Sequence, residues 1–261
     1  MTSLRIFFVG GLTSYRALFG FMSPWIFIPT LVLTPLFQIL LFVYIGRTAE
    51  LESDEFYVIG NALQYASVPC LFAMTNTIAG ERYQQTLGFV LVTPAGRLPL
   101  FLGRSLPVIL NGAFVAAFSL AVSGLMLGID VPAAALGPLA LVVFVSALSC
   151  TGLGLVLAGI GLRVRETSVL LNIIFGFLLV FTGANVPLDD LPAWMRAVSE
   201  GVPLTHGIEA ARRLADGSGL ADVRGLIGAE LAVGVVYGAA GYAVLRYMEW
   251  QSRRHATLER A

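Results

Sequence analysis

The sequence contains no lysine; all 16 of its basic residues are arginine. That absence excludes two chemistries. A phosphate-binding loop of the form GxxxxGK[ST] needs a lysine to reach the terminal phosphates, and Schiff-base catalysis needs a lysine amine. Charge of either sign is scarce, at 12% of 261 residues, where a soluble domain carries roughly a quarter. The net charge is zero, which argues against nucleic acid or any other polyanion as a partner. Two cysteines, Cys70 and Cys150, lie inside apolar stretches without metal-ligand spacing. They read as small buried apolar side chains. Histidine is limited to His206 and His255, and neither HExxH nor GxSxG occurs. No catalytic residue, metal site or resident cofactor is expected.

What the chain has instead is apolar length. Hydrophobic residues make up 57% of it, and the mean hydropathy is +0.83. The stretches 17–46, 56–80, 105–129, 131–162 and 167–188 contain no charged residue, and 225–245 contains one, Glu230. Each is long enough to cross about 30 Å of hydrocarbon as a helix, which takes roughly 20 residues. The polar/apolar alternation of a membrane barrel is absent, so the fold expected is an all-α integral membrane protein. Six transmembrane helices are predicted at 25–46, 56–79, 100–128, 131–161, 168–186 and 225–247, in one domain. Before them Leu4, Phe8, Leu12, Tyr15 and Phe19 fall at helical spacing, which predicts an amphipathic helix over 1–22 lying on the membrane rather than a cleavable leader.

Arginine placement orients the chain. With both termini cytoplasmic, Arg5, Arg16, Arg82, Arg97, Arg104, Arg163, Arg165, Arg246, Arg253, Arg254 and Arg260 lie inside, against Arg47, Arg196, Arg212, Arg213 and Arg224 outside. That excess follows the positive-inside rule and predicts a multi-pass protein of the plasma membrane. Two connections are long for a compact bundle, the cytoplasmic 81–99 and the external 187–224 segments, and long connections are where function concentrates. In the first, Leu87, Val90 and Leu91 stand at i, i+3 and i+4, and Pro94 stops the helix. Such a stripe needs a cover, either a protein groove or the bilayer surface. Glu230 reads as a snorkelling or packing residue in preference to a proton relay. The GxxxG spacings at Gly124/Gly128 and Gly234/Gly238 read as packing within one subunit.

The run GERYQQTLGFVLVTPAGRLPLFLGR at 80–104 resembles the first cytoplasmic loop of ABC-2 type permeases, the daunorubicin-exporter and nodulation-exporter group. Glu81, Arg82, Thr86, Leu87, Thr93, Pro94, Gly103 and Arg104 match, while Gln85 replaces the usual glycine. GANVPLDDLPAWMRAVSEGVPLTHGIEAARRL at 183–214 is similar to the family's signature between spans five and six, through Pro187, Leu191, Pro192, Trp194, Pro203, Leu204, Thr205, Glu209, Ala210 and Arg212 or Arg213. GLRVRET at 161–167 resembles its basic turn between spans four and five.

The resemblance implies a transport subunit without its own ATPase site. It would work as a dimer of permeases, a homodimer here, docked on two copies of an ABC ATPase that binds ATP and magnesium. Residues 81–94 would form the coupling helix, with Glu81, Arg82, Thr86, Leu87, Val90, Leu91, Thr93 and Pro94 contacting the ATPase and Arg163 and Arg165 completing the contact. The 187–224 segment would form short re-entrant helices dipping into the outer leaflet, carried by Pro187, Pro192, Pro203, Thr205, Glu209 and the interfacial Trp194. Efflux of a drug, antibiotic or lipid-like molecule is the expected activity. The resemblance puts spans one, two and five at the dimer seam, which makes the polar faces of spans two and five the candidate path. Asn61, Gln64, Tyr65 and Asn76 lie roughly on one side of span two, as do Asn172, Phe175, Leu179 and Gly183 in span five. Polar residues in membrane helices more often bond to neighbouring helices than to substrate. The other class of function compatible with the composition is an ATP-independent channel or a membrane scaffold.

Overall fold

The computed structural model describes residues 33–77, 97–129, 131–164 and 166–255. The amphipathic segment 1–22, the start of the first span, the coupling segment 81–94 and Arg165 lie outside the described residues. Every regular element among those described is helical. In chain order the α-helices are α1 (Thr34–Ala49), α2 (Asp54–Tyr65), α3 (Arg97–Leu127), α4 (Leu136–Gly161), α5 (Thr167–Phe181), α6 (Ala193–Ser199), α7 (Thr205–Ala215) and α8 (Leu220–His255). Four helical stretches are long and apolar enough to cross a membrane: Asp54–Thr77, Leu102–Leu127, Ala133–Gly161 and Leu220–Met248. α1 and α5 are apolar and shorter.

Local chemistry explains the ends. α1 has Pro35 in its first turn, where a missing N–H costs nothing, and stops at Glu50 in the left-handed region (φ 52°). The Ser53 hydroxyl then caps α2 by accepting the Phe56 N–H at 3.2 Å, and Asp54 and Glu55 occupy the dipole-favoured first turn. Arg47 grips Asp54 across this turn, with Nε 2.9 and 3.0 Å from its two oxygens. α3 ends at Gly128, whose φ of +70° suits a residue without Cβ.

The second span is not one uniform helix. α2 stops at Tyr65, and residues Pro69–Ala73 form a π-helical turn before α-helical geometry resumes at Met74. Pro69 supplies no N–H to the ladder, and a wider turn absorbs the mismatch. This turn packs tightly: a Cβ on Gly112 of α3 would lie 2.4 Å from Cys70 Sγ, and one on Gly154 of α4 would lie 2.4 Å from the Cys70 carbonyl.

The most extensive helix pairing is α4 with α8. Glycines set it. A Cβ at Gly152 would meet the Gly234 carbonyl at 2.9 Å, one at Gly159 would meet Val244 at 2.6 Å, and one at Gly241 would meet Leu155 at 2.9 Å. Small residues let membrane helices approach backbone to backbone, where dispersion replaces the missing hydrophobic drive. A Cβ on Gly234 would lie 2.8 Å from Ser149 Cα of the same chain, so Gly234 packs within the subunit. The core runs from α2 and its π turn through α3, α4, α7 and α8. Large apolar side chains such as Phe37, Leu41, Phe114, Leu125 and Val235 face outward, as they do toward lipid.

Candidate functional site

α1 and α2 run antiparallel and exchange polar contacts in register. Thr34 and Gln38 are one turn apart on α1, and Tyr65 and Asn61 are one turn apart on α2. Tyr65 is hydrogen-bonded to Thr34, and Gln38 Nε2 donates to Asn61 Oδ1 at 3.2 Å. Asn61 is fully buried; its Nδ2 donates to Asn185 Oδ1 at 2.8 Å and to the Tyr57 carbonyl at 3.0 Å. Asn185 belongs to the turn after α5, so one side chain ties three elements. A second rung joins Gln64 Oε1 to the Thr182 hydroxyl at 2.8 Å. That hydroxyl also lies 2.7 Å from the Leu178 carbonyl. Gln64 Nε2 is buried and makes no hydrogen bond among the described residues. In an apolar interior each such bond replaces an unmet polar group, so the seam is held by polar satisfaction.

Of the path residues expected from sequence, the structure brings together Asn61, Gln64, Tyr65 and Phe175. The Tyr65 and Phe175 rings meet edge to face with centroids 6.5 Å apart. Leu179 is half-buried, and its carbonyl accepts from Asn185 at 3.4 Å. Asn76 and Asn172 are exposed and do not join the seam; Asn172 bonds back to the Ser168 carbonyl of its own helix at 2.8 Å. Gln38, Thr182 and Asn185 escaped sequence reasoning. The signal for Gln38 was the i, i+4 repeat on α1 matched by an i, i+4 repeat on α2, which has meaning once the antiparallel register is known; Thr182 and Asn185 carried none.

The segment 187–224 folds into a 3₁₀ turn (Leu188–Asp190), α6 and α7. Pro187 and Pro192 each directly precede a helical start, and Pro203 stands two residues before α7; a fixed φ and an absent N–H suit these positions. Arg196 holds the 3₁₀ turn by donating to the Leu188 and Asp189 carbonyls at 3.2 and 2.6 Å. Trp194 is exposed, and its ring lies 6.3 Å from that of Phe181. Glu209 pairs with Arg213 at 2.8 Å, one turn along α7, and Thr205 is buried at the helix start.

Arg212 carries the α7 contact to the seam. Its Nη2 donates to the Phe56 carbonyl at 3.1 Å and the Ala184 carbonyl at 3.2 Å. The guanidinium carbon stands 3.5 Å over the Phe56 ring centre. Gly60 makes room, since a Cβ there would lie 2.3 Å from the Ala184 carbonyl. Burial pushes the Arg212 guanidinium down to about 10, against the pull of Glu209, Glu52 and Asp216. It is still cationic at neutral pH.

At the other end of the bundle, Arg104 of α3 donates to the Thr77 carbonyl at 3.2 Å, joining the two flanks of the 78–96 connection. Arg163, just past α4, hydrogen-bonds Gln251 on α8. Its neighbours in the expected contact, Glu81, Arg82, Thr86, Leu87, Val90, Leu91, Thr93, Pro94 and Arg165, lie outside the described residues.

Long apolar helices, polar side chains bonded across the bundle and large apolar side chains turned outward define the class as a polytopic helical membrane protein. A family model for ABC-2 type transporters matches residues 15–214. The chain therefore belongs to the ABC-2 type transporter family. It is also 27% identical, over 194 residues, to the probable multidrug ABC transporter permease YbhR of Escherichia coli strain K12 and to its counterpart in Escherichia coli O157:H7. Each alignment covers 69% of this chain and 51% of the relative, so the chain spans about half the length of the relatives it matches.

Proposed function

We propose that the chain is the membrane subunit of an ATP-driven exporter that moves a hydrophobic or amphipathic molecule, such as a drug, antibiotic or lipid, out across the plasma membrane. The observation that carries this reading is the family match over 15–214, which includes the 81–94 segment, in a chain with no lysine to build a nucleotide site. The multidrug name of the E. coli relatives favours an apolar cargo.

In this reading the four long helices cross the membrane together with α1 and α5, each lengthened by the residues beside it. Six crossings put both termini in the cytoplasm. Two permease subunits form a homodimer on two copies of an ABC ATPase, which supply ATP and magnesium. Residues 81–94 seat as a coupling helix in an ATPase groove, with Leu87, Val90 and Leu91 as its apolar face and Arg163 and Arg165 beside it. ATP-driven closure then rocks the permease halves and alternates access to a central path. That work is limited to the difference in contact energy between the two states. The seam of α1, α2 and α5 borders the path. Asn61 is committed to holding three elements, whereas Gln64 Nε2, buried and unbonded among the described residues, would meet a passing molecule only once the seam opens.

Leu87→Asp and Leu91→Asp place charge on the docking face. Both variants are expected to insert normally and to lose co-purification with the ATPase by at least about tenfold, a loss of roughly 1.4 kcal/mol or more. Wild-type recovery of the ATPase with both variants overturns the docking assignment.

A further inference from the structure

Glu230 is a carboxylate within the apolar length of α8, 1% exposed. Its Oε1 accepts the Leu204 N–H at 2.8 Å and its Oε2 accepts the Gly207 N–H at 3.2 Å. These donors frame the start of α7, where backbone amides lack partners within the helix and the helix dipole presents positive charge. Leu204 itself is in the left-handed region, φ +78°, which L side chains rarely adopt. Its N–H donates the hydrogen bond to Glu230 from this conformation. Gly207 completes the seat: a Cβ would fall 2.0 Å from Ser146 Oγ on α4 and 3.8 Å from the Glu230 carboxyl carbon.

A carboxylate buried among membrane helices persists where something compensates its charge. Here the compensation is the end of another helix. We propose that Glu230 is a latch that makes α7 and α8 one moving unit, so that displacement of α8 is delivered to the segment between α5 and α8. At its far end α7 reaches the Phe56 and Ala184 carbonyls through Arg212. Glu230 is thus a positioning residue for the seam, acting through α7. The transport role rests on the exporter reading above; the latch itself does not.

Glu230→Gln keeps size and one acceptor but turns an NH₂ group toward a backbone donor. In the purified chain in lipid nanodiscs, amide exchange at residues 204–208 is expected to rise at least about tenfold, with α4 exchange unchanged. In the complex with its ATPase, spin labels at Arg213→Cys and Val236→Cys are expected to give one narrow distance, the same with and without ATP. Glu230→Gln is expected to broaden that distance or make it depend on nucleotide, which a mere filler residue would not do. Unchanged exchange in Glu230→Gln, or a wild-type distance that shifts with ATP, overturns the latch. Should Glu230→Gln fail to fold, Gly207→Ala displaces α7 with the carboxylate intact; it is expected to raise the same exchange, and Ser146→Gly is expected to restore it. Wild-type exchange in Gly207→Ala also overturns the latch. Absence of ATP hydrolysis in the complex counts against the exporter reading, while the exchange arm still decides the latch.

Discussion

The α1–α2–α5 seam and the α4–α8 pair solve the same problem by opposite means. Neither gains from hydrophobic exclusion, because lipid is as apolar as the side chains it would displace. The α4–α8 pair removes side chains: Gly152, Gly159, Gly234 and Gly241 bring two backbones together. The seam adds polar side chains and satisfies them across helices, through Gln38, Asn61, Asn185, Gln64 and Thr182. Glycine packing is short-ranged and tolerates no added atom, so it favours one fixed geometry. Hydrogen bonds can be exchanged for others of similar energy, so a polar seam is the part better suited to two arrangements.

The comparison breaks most visibly at Gly152. Gly152→Val puts a branched side chain where a Cβ already lies 2.9 Å from the Gly234 carbonyl and 3.0 Å from the Gly238 nitrogen, both backbone atoms. The expected loss is about 3 kcal/mol, read as a lower unfolding midpoint in detergent. Gly137→Ala, on the same helix with nothing within 4 Å, should leave the midpoint unchanged.

The seam should yield less. A double-mutant cycle of Asn61→Ala with Asn185→Ala is expected to give a coupling of about 0.6–1.7 kcal/mol, the range found between membrane helices. A coupling near zero would mean that Asn61 is held by Tyr57 and Gln38 alone. Smallest of all is Arg47→Ala. Arg47 and Asp54 pair at the exposed end of α1, where water competes for both charges and salt screens them. No change in midpoint beyond measurement error is expected, and a clear drop would place that turn within the cooperative unit.

Much of this arrangement was legible in the residue pattern. Charge-free runs marked the chain as helical and membrane-spanning, and four described helices are long and apolar enough to cross, because burying backbone in lipid demands long uncharged helix. Pro187 and Pro192 each stand directly before a helical start and Pro203 two residues before α7, as proline's fixed φ and missing N–H favour. Span two was expected to be uniform, and its π turn was missed. Whether Pro69 kinks, stops or widens the helix depends on what packs beside it, here Gly112 and Gly154.

The partners of the polar residues could not be read in advance. Asn61 and Asn185 are separated by 124 residues, and Arg212 and Phe56 by 156. Glu230 was recognised as unusual, yet its role depended on α7 folding back to set two amides against it. The sequence alone determined that the chain is apolar, helical and without a lysine for nucleotide, because those properties are sums over local residues. Tertiary structure decided which polar groups hold the bundle and which remain free, because a hydrogen bond requires its two groups to lie within about 3 Å of each other, and chain order does not encode that distance.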